Sequence, residues 1–249
     1  MNEGAVPVYF HRVRPSGPVP SSYGADLANV VTAKAFDAFL EHRRERLVDA
    51  NSRQVSSYGD SFEHVSLMLT FDDAYQDFAD VVLPRLECLH LRTLLFVVPA
   101  FADGKTVPAE YRLTDLLERC ANGLYDNGVY YPVQDSAART DLYRDLWRDL
   151  KRRPPSDRET RLSELARDNG LEGEDLNGPA LLDWSSIEAL DKHPCVEIGA
   201  HTLTHPFLPG LSAPDCWREI AGAKRCLEER LGHRVRCLAY PYGDRKSVV

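Results

Sequence analysis

Five short apolar runs, rich in β-branched and aromatic residues, punctuate the chain at residues 6–10, 65–71, 93–98, 195–199 and 235–240. Two of them, Val-Ser-Leu-Met-Leu-Thr-Phe and Thr-Leu-Leu-Phe-Val-Val, are nearly continuous. That is the pattern of strands covered on both faces of a parallel sheet. Between the runs, apolar residues return at helical spacing. Thr32 is placed to cap a helix carrying Phe36, Phe39, Leu40 and Leu47. Phe78, Val82, Leu86 and Leu89 share one face of a second, which Pro84 should kink. Capping boxes at Ser156–Glu159 and Ser185–Glu188 predict two further helix starts, the first running through Leu162 and Leu165 to a stop at Gly170. Ser212 opens a last helix that ends at Gly232. Alternating strands and helices predict an α/β parallel architecture, either a barrel or an open sheet.

Residues 103–183 break that rhythm. Two charged helices, around 138–152 and 156–169, bring no strand with them. Their apolar stripe is narrow, so they read as an excursion on one domain spanning residues 1–249. The Gly- and Pro-rich stretch 14–24 reads as a loop after the first strand.

Composition narrows the function. A formal net charge of -8 and a pI near 5.5 disfavour nucleic acid and anionic membranes as partners. No apolar run approaches the ~20 residues of a membrane helix. The N-terminus shows no basic-then-apolar signal pattern, and six cysteines lie without any C-x-x-C pair. A reduced, cytoplasmic chain is the expectation.

Chemistry collects at the strand ends, where α/β sheets place their ligands. The second run ends in Asp72-Asp73. Two adjacent carboxylates after a buried run repel each other unless compensated. A metal ion would let one ligate and leave the other as a base; a helix cap is the alternative. The fourth run leads into His201-Thr-Leu-Thr-His205, an i, i+4 pair that shares one side of a helical turn. Two imidazoles and one carboxylate leave open positions for water, a catalytic arrangement, although such pairs also occur as ordinary polar residues. The fifth run ends in Ala239-Tyr-Pro-Tyr-Gly-Asp244, a turn able to present a backbone N–H. His11 follows the first run and is read either as a core histidine or as a rim group.

Together these segments resemble the polysaccharide deacetylase family, the NodB-homology domains of carbohydrate esterase family 4. Thr-Phe-Asp72-Asp73 is similar to its first motif, His201-Thr-Leu-Thr-His205 to its second and Tyr-Pro-Tyr242-Gly to its third. The resemblance implies a deformed (β/α) barrel, incomplete here at the C-terminal side because few residues follow the third motif. It implies metal-dependent N-deacetylation of an N-acetylated sugar, with Asp73, His201 and His205 holding a divalent cation, usually Zn2+. Asp72 would be the general base, and the Tyr242 amide would hold the oxyanion. Ala239 stands where many members carry an arginine, and no histidine follows His233. By similarity to the poly-N-acetylglucosamine deacetylases, His11 would therefore be the general acid. Tyr9, Tyr75, Trp184 and Tyr242 are candidate platforms for sugar rings. The rival readings are a carbohydrate-binding relative without turnover, and a non-haem iron oxygenase with the same ligand types.

Overall fold

The computed structural model describes residues 5–15, 30–50, 66–173 and 176–243. Part of the 14–24 loop, Val65 and Asp244 lie outside them.

The chain begins with β1 (Val6–Phe10), bends at His11, and continues as β2 (Arg12–Arg14). After β3 (Val30–Thr32) comes α1 (Ala33–Arg43), whose first turn is capped by the Thr32 hydroxyl accepting from the Ala35 amide. Thr32→Ala should therefore cost about 1 kcal/mol of stability, measured as a shift of the urea midpoint at constant slope. Next comes β4 (Leu67–Phe71), which leads through a wide π turn over Phe78–Val82 into α2 (Leu83–Leu89). The distortion expected at Pro84 is thus taken up immediately ahead of it.

Four parallel strands form the sheet. Between β1 and β5 (Thr93–Val97) lies β4, and β8 (Val196–Ala200) closes the order β1-β4-β5-β8. At every position β4 and β5 are buried, as continuous apolar runs require. Beyond the His11 bend, β2 pairs in parallel with β3, so the sheet curls at that edge. Phe36 of α1 packs edge-on against Phe10 and Phe71 and seals the outer face. The order and curl are those of a mixed α/β fold of the deformed-barrel type, with the barrel left unclosed by hydrogen bonds among the described residues.

Three local expectations are corrected. Residues 235–240 do not form a fifth strand; Leu238 alone bridges in parallel to Ala200, flanked by two backbone hydrogen bonds. The segment turns away at Pro241, which has no N–H for a ladder. The helix predicted from Ser156 starts at Pro155 with Pro154 at the cap, and the Ser156 hydroxyl bonds Asp157 instead. Proline suits a first helical position because that N–H needs no partner. Asp183, not Ser185, caps the helix α7 (Trp184–Asp191), accepting from the Ser186 amide at 2.8 Å.

After α3 (Pro99–Ala102), the excursion comprises α4 (Ala109–Arg119), a hairpin of β6 (Gly123–Asp126) and β7 (Val129–Pro132) where no strand was expected, α5 (Ser136–Arg152) and α6 (Pro155–Asp168). Its apolar stripe is wider than the sequence suggested. Leu113, Leu116, Leu117, Leu150, Leu162 and Leu165 form a buried cluster of their own. The last long helix, α8 (Ala213–Leu231), starts at the Ser212 cap and ends at Gly232 with φ 76°, as expected.

Candidate active site

The residues after β4 and β8 meet at one end of the sheet. Seven described non-glycine residues have left-handed φ, and five of them lie here: Asp73 (69°), Ala74 (55°), Thr202 (63°), His205 (58°) and Tyr242 (64°). Each such backbone costs about 1–3 kcal/mol and persists only where its surroundings enforce it. Part of that enforcement is visible. Glu219 of α8 accepts from the amides of Leu203 and Thr204 and from the Thr204 hydroxyl, clamping the loop between the two histidines. The His201–His205 pair therefore meets across a clamped bend rather than along the helical turn its spacing suggested.

The Nε2 atoms of His201 and His205 lie 3.7 and 3.4 Å from one Asp73 carboxylate oxygen. All three residues are at most 4% exposed. Their donor atoms fall within 4.8 Å of one another, and they are the one such group found among the described residues. Both Asp73 oxygens are buried, and the Tyr75 hydroxyl stands beside them as a donor. Burial pushes the Asp73 carboxyl up to about 7, with His201 opposing the shift, and drives both imidazoles below their ordinary value. Each histidine is oriented through its other nitrogen. Nδ1 of His201 pairs with the Ala239 carbonyl at 3.0 Å, and Nδ1 of His205 with the Tyr242 hydroxyl at 3.1 Å. A carbonyl only accepts, so His201 carries its proton on Nδ1 and turns a lone pair inward.

Tyr242 receives a second donor. Arg158 of α6, 4% exposed, donates to the Tyr242 hydroxyl at 3.0 Å and to the His205 carbonyl at 3.3 Å. The hydroxyl therefore sits between two nitrogens and fixes the ring of His205. Arg158→Met should weaken divalent-cation binding at the Asp73, His201 and His205 group by roughly 10–100-fold, the usual effect of losing an orienting partner. Competition against a fluorescent chelator reads this directly, and an unchanged affinity would confine Arg158 to packing.

Asp72 points into the cleft instead of toward the histidines. Burial pushes its carboxyl up to about 6, with the nearby His11 pulling the other way. Nε2 of His11 stands 3.9 Å from Asp72 Oδ2, and burial holds that imidazole below its ordinary value. His11 occupies the bend between β1 and β2, at the same rim as the Asp-His-His group. The cleft has a volume of about 640 Å³ and is lined by Tyr9, His11, Asp72, Glu110, Lys151, His205 and Tyr242 among others.

Two expected sugar platforms lie elsewhere. Tyr75 is 1% exposed and packs edge-on against Tyr111, because the left-handed Ala74 turns the chain inward. Trp184 is a clasp outside the cleft: its indole N–H donates to Asp103 at 2.7 Å, and Arg230 stacks 4.8 Å from its ring centre. Tyr9, 68% exposed, and Tyr242 do line the cleft. Glu110, Lys151 and Arg158 were missed because they come from the excursion. A signal was available. Arg158 shares a stripe with Leu162 and Leu165, and Glu110 one with Leu113 and Leu117, so each charge falls on a buried face.

The sequence profile of the polysaccharide deacetylases matches residues 60–249. The chain belongs to the polysaccharide deacetylase family. Family membership makes it a hydrolase of carbon–nitrogen bonds other than peptide bonds, and supports N-deacetylation in general terms. It is similar in fold to the Streptococcus pyogenes deacetylase PplD, solved in complex with acetate. The match has a TM-score of 0.55 and 16% identity, and covers 98% of this chain and 76% of that one. IcaB from Ammonifex degensii gives 0.52 and 15%, with 98% and 76% covered. A de-N-acetylase from Aggregatibacter actinomycetemcomitans gives 0.51 and 12%, with 96% and 79% covered. No curated protein matches the sequence. None of the described helices is long and apolar enough to cross a membrane.

Proposed function

We propose that this chain is a zinc-dependent N-deacetylase of an N-acetylated sugar, with residues 1–249 acting as one catalytic domain. One observation carries the reading. The buried Asp73 carboxylate meets the Tyr75 hydroxyl but no Lys or Arg among the described residues, and it faces two imidazoles oriented through their outer nitrogens. An unpaired buried charge costs several kcal/mol unless a cation compensates it. Asp73, His201 and His205 fit that cation, and one oxygen with two nitrogens suits zinc. When bound, the ion supplies Lewis-acid charge to an acetyl carbonyl and lowers the pKa of water.

The remaining work falls to the chain. Asp72 takes a proton from the attacking water as its oxygen bonds to the acetyl carbon. The Tyr242 amide donates to the oxyanion. As the carbon–nitrogen bond breaks, His11 protonates the departing amine, which leaves poorly as an anion. Acetate and a free amino sugar result. The 3.9 Å separation of His11 and Asp72 gives the collected proton a short route to the acid. Arg158, reaching from α6 to His205 and Tyr242, supports treating the excursion as part of the catalytic domain.

The test is acetate release from N-acetylated chito-oligosaccharides by the purified chain, before and after chelation and with zinc restored. Zinc-restored release supports the reading. Sugar binding without acetate release under any metal would replace it with the binding-only relative.

A further inference from the structure

Glu110 is the second residue of α4, and only 6% of it is exposed. It lines the same cleft as Asp72 and His205, although it comes from the excursion and not from a strand end. Its own backbone amide supports the carboxylate. The oxygen Oε2 is buried with no hydrogen-bond partner, and no ion pair to Glu110 forms among the described residues. Arg158 and Lys151 stabilise its charge from a distance while burial opposes it. Such an acceptor is unfavourable while unpaired, and more so when charged. The cost disappears when a donor enters the cleft.

Resting on the deacetylase reading, we propose that Glu110 accepts a hydrogen bond from a ring hydroxyl of the N-acetylated sugar, making α4 part of the substrate site. A sugar fits better than a plain acetamide for a physical reason. The other cleft groups nearest the reacting centre, Asp72, His11 and Tyr242, are committed to water, the amine and the oxyanion. Glu110 is left to face the ring that carries the amide. Sites built to hold a hydroxyl discriminate strongly against ligands lacking it, because their buried acceptor is then left unpaired.

Two measurements test this. The first is calorimetric binding of N-acetylated chito-oligosaccharide to the metal-free protein, where no turnover intervenes. Glu110→Ala should weaken binding about 10–100-fold, the range of a hydrogen bond to a charged group, and Glu110→Gln less. Equal affinity, or no binding by wild type or variant, overturns the proposal. So does preferential loss of affinity for the fully de-N-acetylated oligosaccharide, which would make Glu110 an ammonium site. The second is the ratio of kcat/KM for the oligosaccharide to that for 4-nitrophenyl acetate, with zinc added. The ratio should fall at least tenfold in Glu110→Gln; a constant ratio overturns the proposal. Wild type that binds sugar but releases no acetate would defeat the deacetylase reading alone, with the binding arm still deciding Glu110.

Discussion

Asp72→Asn should lose about 10²–10⁴ of kcat, the usual contribution of a positioned general base, while binding as much zinc as the parent. Asn has nearly the same shape and cannot take the proton. The expectation rests on the separation of the two adjacent carboxylates. Asp73 faces the imidazoles, and Asp72 faces the cleft beside His11. The left-handed φ of Asp73 is what turns neighbouring side chains to different tasks. Burial has already lifted Asp72 to about 6, nearer to working pH than a surface aspartate and so a better base. Acetate release and metal content measured on one preparation decide the matter. Activity within a few-fold of wild type would make Asp72 a structural residue. Loss of zinc alongside activity would make it a ligand.

Much of this site was legible because strand ends are written locally. A continuous apolar run fixes a buried strand, and whatever follows it falls at the sheet's rim, so the sequence alone brings Asp72, Asp73, His201 and His205 together. His11 was legible for the same reason, although the bend that puts it between β1 and β2 was not. The fifth run failed as a strand because hydrophobicity alone cannot report that Pro241 ends the ladder after one bridge. Tyr75 and Trp184 failed for a related reason. An aromatic ring suits a sugar platform and a core equally, and only the backbone direction at Ala74 and the Asp103 acceptor decide between them. Glu110 and Arg158 were hidden by distance along the chain. Nothing local says that α6 reaches His205 and Tyr242 or that α4 lines the cleft, and only charges on an apolar stripe hinted that those helices cover something polar.

Asp73→Asn and His205→Ala should both abolish tight zinc binding, with opposite effects on the metal-free protein. A three-donor site cannot spare one, so the affinity loss should exceed the roughly 10–100-fold that losing an orienting partner costs. In the metal-free fold, however, burial lifts the Asp73 carboxyl to about 7, and the His201 imidazole and the Tyr75 hydroxyl offset only part of that cost. Removing its charge removes a desolvation cost, and an Asn amide can donate to a facing Nε2. The metal-free thermal midpoint of Asp73→Asn should therefore rise above wild type. His205→Ala takes out a buried ring that contacts Phe101 and Tyr242, which leaves a cavity and deprives the Tyr242 hydroxyl of a partner, so its midpoint should fall. Zinc at about 100 times its dissociation constant should add about 2.7 kcal/mol to wild type and nothing comparable to either variant. Thermal scans of the three proteins with and without zinc separate these effects. A lowered Asp73→Asn midpoint together with an intact zinc increment would mean that Asp73 braces the fold and that the cation, if any, binds elsewhere.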